Sequence, residues 1–230
     1  MMPGLKSSND NIKKMIVYKD FVDHTFITTD PKIFLNQNKN YKNVHFIFTP
    51  VDKNIEIYDV FNMKAKNDIF YAMSHGVNRG VLKEGKSDER SVFLNKLIKK
   101  ISDISYEFYG FKDSQPIWGD QFFQALSNSK MGLNLSRGAP TKYYTSNRIA
   151  SLMGNGLLTF IDKRTKFNDI FTNNEIVLYS GINDLASKIK FYKNNDKVRK
   201  KIASQGKKKY FKLFNEQKIS KYIIEKSFGK

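Results

Sequence analysis

The sequence predicts an α/β fold: a parallel sheet flanked by helices, preceded by a partial α/β segment. Three observations carry that expectation. Short runs of β-branched and aromatic residues recur along the 230-residue chain and alternate with stretches of helical apolar spacing, the pattern of βαβ units. Apolar residues make up 40% and aromatics 14%, too many for a disordered chain and enough to bury a core at this length. No apolar run reaches the ~20 residues that a membrane-spanning helix needs, and the longest, residues 156–161, is strand-sized.

The elements follow in order. Residues 1–12 read as a disordered or severed start, and residues 1–15 lack the apolar centre of a secretory signal. Residues 13–18 and 25–28 are strand-like. Asp30 and Pro31 open a short helix, the first as cap and the second at the first helical position. Residues 43–48 form a strand, and residues 50–66 read as a linker. Beyond it come a strand at 68–73, a basic Gly-rich loop at 75–86 and a helix at 88–100, where Val92, Leu94, Leu97 and Ile98 keep helical spacing. A strand at 106–110, a helix at 119–129 and a strand at 130–135 follow. Then come a helix at 146–154 and strands at 157–162 and 176–179. Helices over 183–193, 196–213 and 216–227 close the chain. In such sheets ligands bind where strand carboxyl ends meet helix N-termini.

The charge is strongly basic: 40 Lys and Arg against 22 Asp and Glu, a formal +18. Lysine-rich composition accounts for part of it by filling solvated faces. From residue 181 onward, however, 15 basic residues face only four acids. Nucleic acid, an anionic membrane surface and a phosphorylated small molecule all suit such a field. Lysines interleaved with aromatics at 207–212 fit either a membrane surface or a packed amphipathic helix whose lysines reach outward. The chain has no cysteine, which excludes disulfide scaffolds, thiolate metal sites and cysteine nucleophiles. His24, His45 and His75 are scattered and make a transition-metal centre an unexpected feature.

Two constellations carry chemistry. The loop around His75, Gly76, Arg79, Gly80, Lys83, Gly85 and Lys86 joins a strand to a helix. Its glycines let backbone N–H groups approach a ligand and its cations match phosphate, although it fits neither the dinucleotide fingerprint nor the P-loop. An ordinary solvated loop is the plain alternative. The second is the helix start Thr145-Ser146-Asn147-Arg148, followed by small residues, Gly154, Gly156 and a buried strand. A capped helix N-terminus with an arginine in its first turn suits a diphosphate, against the alternative of a packed helix with an incidental arginine.

The ordered series SKMGLNL, TSNRIASLMGNGLLTFID, FNDIFTNNEIVLY, DLASKIKFY and VRKKIASQGKKKY resembles the carboxyl-terminal half of a GT-B glycosyltransferase of the group 1 type. The spore-maturation-like branch is the nearest in pattern. The likeness spans residues 44–215. It implies a Rossmann-like donor-binding domain over residues 67–215, joined through a 51–66 linker to residues 1–50 as the end of an acceptor-side domain, with 216–230 as a terminal helix. It further implies metal-independent transfer of a sugar from a nucleotide diphosphate sugar to a glycan or lipid-linked acceptor, in cell-surface polysaccharide or lipopolysaccharide assembly. The chain would then be cytoplasmic or peripheral at the membrane's inner face. Departing diphosphate would be stabilised by cations and a helix dipole instead of a metal or other cofactor. Carried over by position, Arg79 and Lys83 would neutralise the diphosphate as the catalytic pair. His75, Gly76, Arg90, Gly110, Thr145, Ser146, Asn147, Arg148 and Ser151 would line the donor, with the stretch from Gly110 toward Trp118 beside the nucleobase.

Two departures stand out. Many relatives carry two glutamates near this helix, the second holding the donor ribose. Here those positions are Tyr143 and Ser151, and Glu175 lies elsewhere. The part before the linker is also short for a whole domain. Two other readings follow: a non-catalytic or truncated nucleotide-sugar-binding module, and a basic nucleic-acid-binding protein. The second lacks any recognised nucleic-acid motif, so no nucleic-acid partner is expected.

Overall fold

The computed structural model describes residues 19–39, 41–74 and 89–229. Two parallel sheets organise them. A small one pairs β1 (Thr25–Ile27) with β2 (Val44–Phe46), with Thr25 opposite Val44, and the helix α1 (Pro31–Gln37) connects them. Asp30 caps α1 as expected: its carboxylate accepts from the Lys32 N–H at 3.0 Å and pairs with Lys142 at 2.9 Å.

The main sheet comprises β3 (Asn67–Ala72), β4 (Tyr106–Tyr109), β5 (Ser129–Asn134), β6 (Leu158–Asp162) and β7 (Val177–Tyr179). All neighbours are parallel, in the order β4-β3-β5-β6-β7. The connecting helices are α2 (Glu89–Lys100), α3 (Gly119–Ser127) and α4 (Asn147–Gly154). Helices α5 (Gly181–Asn194), α6 (Asp196–Phe214) and α7 (Glu216–Phe228) follow β7. From residue 25 onward the expected strands and helices form, with ends shifted by a residue or two. The expected strand at 13–18 lies outside the described residues. The chain starts in β3, steps to β4, and returns past β3 to β5, so direction reverses between β3 and β5. That reversal opens a crevice at the strand carboxyl ends.

Each central strand is buried on both faces, as parallel sheets require. Ile69 and Tyr71 of β3 pack with Leu94 and Leu97 of α2 and with Leu185 and Ile189 of α5. Phe70, between them in sequence, packs on the opposite side with Leu126 of α3 and Leu152 of α4. Asp68, 3% exposed at the start of β3, accepts from Ser105, from Lys130 at 3.0 Å and from Lys193 at 3.3 Å. A buried carboxylate needs such partners to remain charged.

Residues 50–66, expected as a linker, are packed into the fold. Val51 and Val60 are fully buried. Asn155, just past α4, holds this segment at two points: its side-chain oxygen accepts from Tyr58 N–H at 3.1 Å and its carbonyl from Val60 N–H at 3.0 Å. At the chain's other end, Val51 donates to Phe214 O and accepts from Glu216 N–H, each at 3.0 Å. Helix α7 thereby turns back onto the small sheet, with Tyr222 edge-on to Phe26 and His45. A second aromatic core, with Phe48 stacked on Phe214 at 3.8 Å, ties the first strands to α6.

Candidate functional site

A cleft of about 330 Å³ opens at the carboxyl end of β3. Met73 and Ser74 leave the strand there, Arg90 enters from the start of α2, and Trp118 and Phe122 come from the start of α3. Asn147, Arg148 and Ser151 project from the first turns of α4. Two helix N-termini and two arginines thus converge where β3 ends, and no carboxylate lines the cleft among the described residues.

Arg148 is positioned by a buried aromatic ring. Its guanidinium carbon sits 5.3 Å from the Tyr71 ring centroid, within cation–π range. Tyr71 cannot turn away, because its hydroxyl donates to the Leu135 carbonyl at 2.9 Å. Arg90 is buried and donates to the Ser74 carbonyl at 3.0 Å, which fixes the end of β3. Ser146, the N-cap of α4, has extended backbone and makes no side-chain cap bond; its hydroxyl is buried without a partner. The first N–H groups of any helix lack intrahelical acceptors, so this end of α4 is oriented to receive an anion.

Of the residues singled out by sequence, the structure brings Arg90, Asn147, Arg148 and Ser151 together on the cleft; Ser146 caps α4 just before Asn147 and does not itself line the cleft. His75, Gly76, Arg79 and Lys83 lie outside the described residues. Gly110 and Thr145 do not line the cleft. Gly110 has φ +71° and stands so close to β3 that a Cβ would meet the Met73 carbonyl oxygen at 2.0 Å. It is glycine for close approach. Thr145, 1% exposed, turns to the first sheet's segment, accepting from Thr49 N–H at 3.2 Å while its own N–H donates to Thr28 O at 2.8 Å.

The two positions that the resemblance sets against the family's glutamates, 143 and 151, separate cleanly. Ser151 is buried in the cleft wall. Tyr143 stands outside it, in left-handed backbone with φ 58°, donating to Asp169 at 2.6 Å. Glu175 serves structure: its carboxylate accepts from Thr172 and pairs with Lys209 at 3.1 Å. Burial pushes its pKa up, but the bonds from Thr172 and Lys209 outweigh that and hold it below the usual value. His24 and His45 are hydrogen-bonded to each other at 3.0 Å, far in sequence from the cleft residues. Burial, His24 and Lys226 together lower the His45 pKa. Sequence reasoning missed Tyr71 as the platform for Arg148 and the aromatic pair Phe122 and Phe123 in the cleft wall. A tyrosine in an apolar strand reads as core, and nothing in its neighbours reports what its ring meets across the sheet.

The chain matches the glycosyl transferase-like family over residues 90–225, more than half its length. Comparison with the curated proteins returns no match. Among solved structures it is similar to a variant of TarM from S. aureus, in complex with fondaparinux, α-GlcNAc-glycerol and UDP, at 13% identity and a TM-score of 0.65. That likeness covers 94% of this chain and 46% of TarM. The sucrose-phosphate synthase of Thermosynechococcus elongatus aligns at 13% identity and a TM-score of 0.55, over 92% of this chain and 60% of the synthase. HepE of Anabaena, in complex with UDP, aligns at 13% and 0.60, over 94% and 66%. The chain therefore spans about half to two thirds of these structures. Its five-stranded parallel sheet, flanked by helices, has their GT-B fold, and the chain belongs to the glycosyl transferase-like family.

Proposed function

We propose that the chain is the donor-binding part of a glycosyltransferase, holding a nucleotide diphosphate sugar in the cleft at the end of β3 and presenting its sugar to a glycan or lipid-linked acceptor. One observation carries this reading. Arg148 occupies the first turn of α4, where a cation faces the positive end of the helix dipole. That is a poor choice for helix stability and a good one for a diphosphate. The Tyr71 ring compensates it in the free protein, and a bound anion would do so more strongly. Trp118, 45% exposed on the same cleft, offers a face on which a nucleobase can stack. UDP in the TarM and HepE complexes supports a uridine nucleotide as the first ligand to try.

In this reading Arg148, Arg90 and the N-terminus of α4 take the charge of the diphosphate, and Arg79 and Lys83, the pair expected from the sequence, add to it. Cations and backbone N–H groups do the work that a divalent metal does elsewhere. Surface polysaccharide or lipopolysaccharide assembly at the inner face of the membrane suits the basic carboxyl-terminal helices. The runner-up, a nucleotide-sugar-binding module without transferase activity, draws on Ser151 and Tyr143 standing where relatives carry glutamate.

The test uses the sequence's single tryptophan. UDP, GDP and ADP are titrated without divalent metal, reading Trp118 fluorescence and heat. Saturable binding of one nucleotide is expected, weakened about ten- to a hundredfold in Arg148→Ala, as for loss of one charge-assisted hydrogen bond. No binding to a folded protein, or equal binding by the variant, overturns the assignment. Transfer from a radiolabelled sugar ester of the bound nucleotide separates the enzyme from the non-catalytic module.

A further inference from the structure

A second cavity, of about 200 Å³, lies beside the cleft at the carboxyl ends of β5, β6 and β7. It is below the ~300–1,000 Å³ of a drug-sized ligand site, and suits one small hydroxylated ring. The two cavities share Arg90. They are also joined through Tyr71, whose ring carries Arg148 on the cleft side and whose hydroxyl holds Leu135 on this side.

Several of the cavity's polar groups are already occupied. Asp162 is taken by Arg164, which donates from Nε at 3.0 Å and from a terminal nitrogen at 2.7 Å. Thr165 donates to the Asp162 carbonyl at 2.6 Å. Glu89 accepts from the Gly138 N–H. Asn134 is not satisfied in this way. It ends β5, is 6% exposed, lines the cavity, and its side-chain oxygen has no hydrogen-bond partner. A buried acceptor left unmet costs about as much as a hydrogen bond is worth or more, so such a group in a cavity points to a donor that arrives from outside. Tyr179 lies in the same wall, 1% exposed, and burial raises its pKa, so its phenol stays protonated and able to donate.

We infer that this cavity receives the sugar ring of the donor, and that the Asn134 side-chain oxygen reads one of its hydroxyls. The inference rests on the proposed nucleotide site, because a sugar reaches the cavity only if its diphosphate is held next door by Arg148 and Arg90. No acid or base is assigned to Asn134; its role is selection among sugars.

The experiment compares a nucleoside diphosphate with its own sugar esters. The nucleotide that binds among UDP, GDP and ADP is titrated alone and as its glucose, galactose, mannose and N-acetylglucosamine esters, against the wild-type chain and Asn134→Leu, Asn134→Ser and Asn134→Asp. The ratio of Kd for the ester to Kd for the free nucleotide is read. For at least one ester it should rise about three- to tenfold in Asn134→Leu and Asn134→Ser, stay near wild type in Asn134→Asp, which keeps the acceptor oxygen, and leave the free-nucleotide Kd within about twofold. Asn134→Ser decides the matter if Asn134→Leu does not fold. A ratio unchanged for every ester overturns the inference while leaving the nucleotide site standing. Failure of all three nucleotides to bind overturns the proposed function and this inference with it.

Discussion

Gly206→Ala is expected to destabilise the protein, although the same change on most helices stabilises it. In a helix interior alanine is better than glycine by about 1 kcal/mol. Gly206 lies within α6, fully covered by the 172–175 turn and by α4. A Cβ there would stand 2.3 Å from the Glu175 carbonyl oxygen and 3.3 Å from Met153 Cε. An ordinary carbon–oxygen contact is ~3.3 Å, so the two backbones must separate by about 1 Å. The turn resists that movement. Glu175 N–H donates to Thr172 O at 3.0 Å, its carboxylate accepts from Thr172 Oγ1 at 2.9 Å, and Lys209, one turn along α6, grips it at 3.1 Å. Overpacking costs about 1–3 kcal/mol, and the upper half of that range applies where backbone meets backbone. Subtracting the propensity gain leaves a net loss of about 1–2 kcal/mol. At ~2–4 °C per kcal/mol for a chain of this size, Tm falls by about 2–8 °C. Urea unfolding followed by circular dichroism measures the free energy directly, with an unchanged m-value if only the native packing is affected. A Gly206→Ala protein as stable as wild type, or more so, would refute the close-approach argument for α6.

Two further predictions follow. Asp68→Asn should cost about 1–3 kcal/mol by removing the carboxylate that Lys130 and Lys193 share. Burial raises the Asp68 pKa, but the bonds from Lys130 and Ser105 more than offset this and lower it overall; its stabilisation is therefore full above the ordinary aspartate range and lost as pH falls through the lowered value, so acid unfolding of Asp68→Asn should be flatter than wild type below about pH 4. On α6, Lys197, Lys201, Lys208 and Lys212 are exposed and fall within ~60° of one another at 3.6 residues per turn. If this stripe meets an anionic membrane, wild-type chain should sediment with phosphatidylglycerol vesicles and not with phosphatidylcholine ones, and replacing all four by Gln should weaken this at least a hundredfold, at ~1 kcal/mol per lysine; equal sedimentation with both lipids would exclude the surface.

The alternation of strands and helices was legible because each buried strand carries its own local signature. Phe70 between Ile69 and Tyr71 looks the same in sequence whichever helix covers it, and that sufficed to place β3. Arg148 was legible for a related reason: caps and first turns are local chemistry. What remained hidden depends on contacts across the chain. Gly110 and Thr145 sit within promising motifs, but their constraints come from Met73 and Thr49, which no local pattern ties to them. The segment around Val51 reads as a linker because it is short and polar at its ends. It becomes core only when Phe214 and Glu216, more than a hundred and sixty residues later, pair with it. Asn134 closes a strand motif that reads as pure packing. Its unmet oxygen is visible only once β5, β6 and β7 stand side by side.

The charge of the chain divides in the same way. Lys207 donates to Tyr58 O at 2.7 Å and pairs with Asp59, Lys209 holds Glu175, Lys200 holds Asp196, and Arg199 is buried against Asp196 and the Lys130 carbonyl. Lys207, Lys209 and Arg199 fasten α6 to the rest of the fold, Lys200 is paired within the helix, and none of them says anything about a partner. The cleft is different, because its cations line a cavity. Arg90 and Arg148 stand there with the N-termini of α3 and α4, and the described lining includes no carboxylate. A glutamate at position 151 would give a ribose a strong acceptor, yet it would also place a negative charge beside the diphosphate. Serine at that position gives up the first and avoids the second. On the proposed function, the site that results would favour the anionic part of a nucleotide over its sugar hydroxyls. If the proposed function and the Asn134 inference hold, discrimination among sugars falls to neutral groups such as Asn134, and the chain should tolerate changes in the nucleoside more readily than loss of either phosphate.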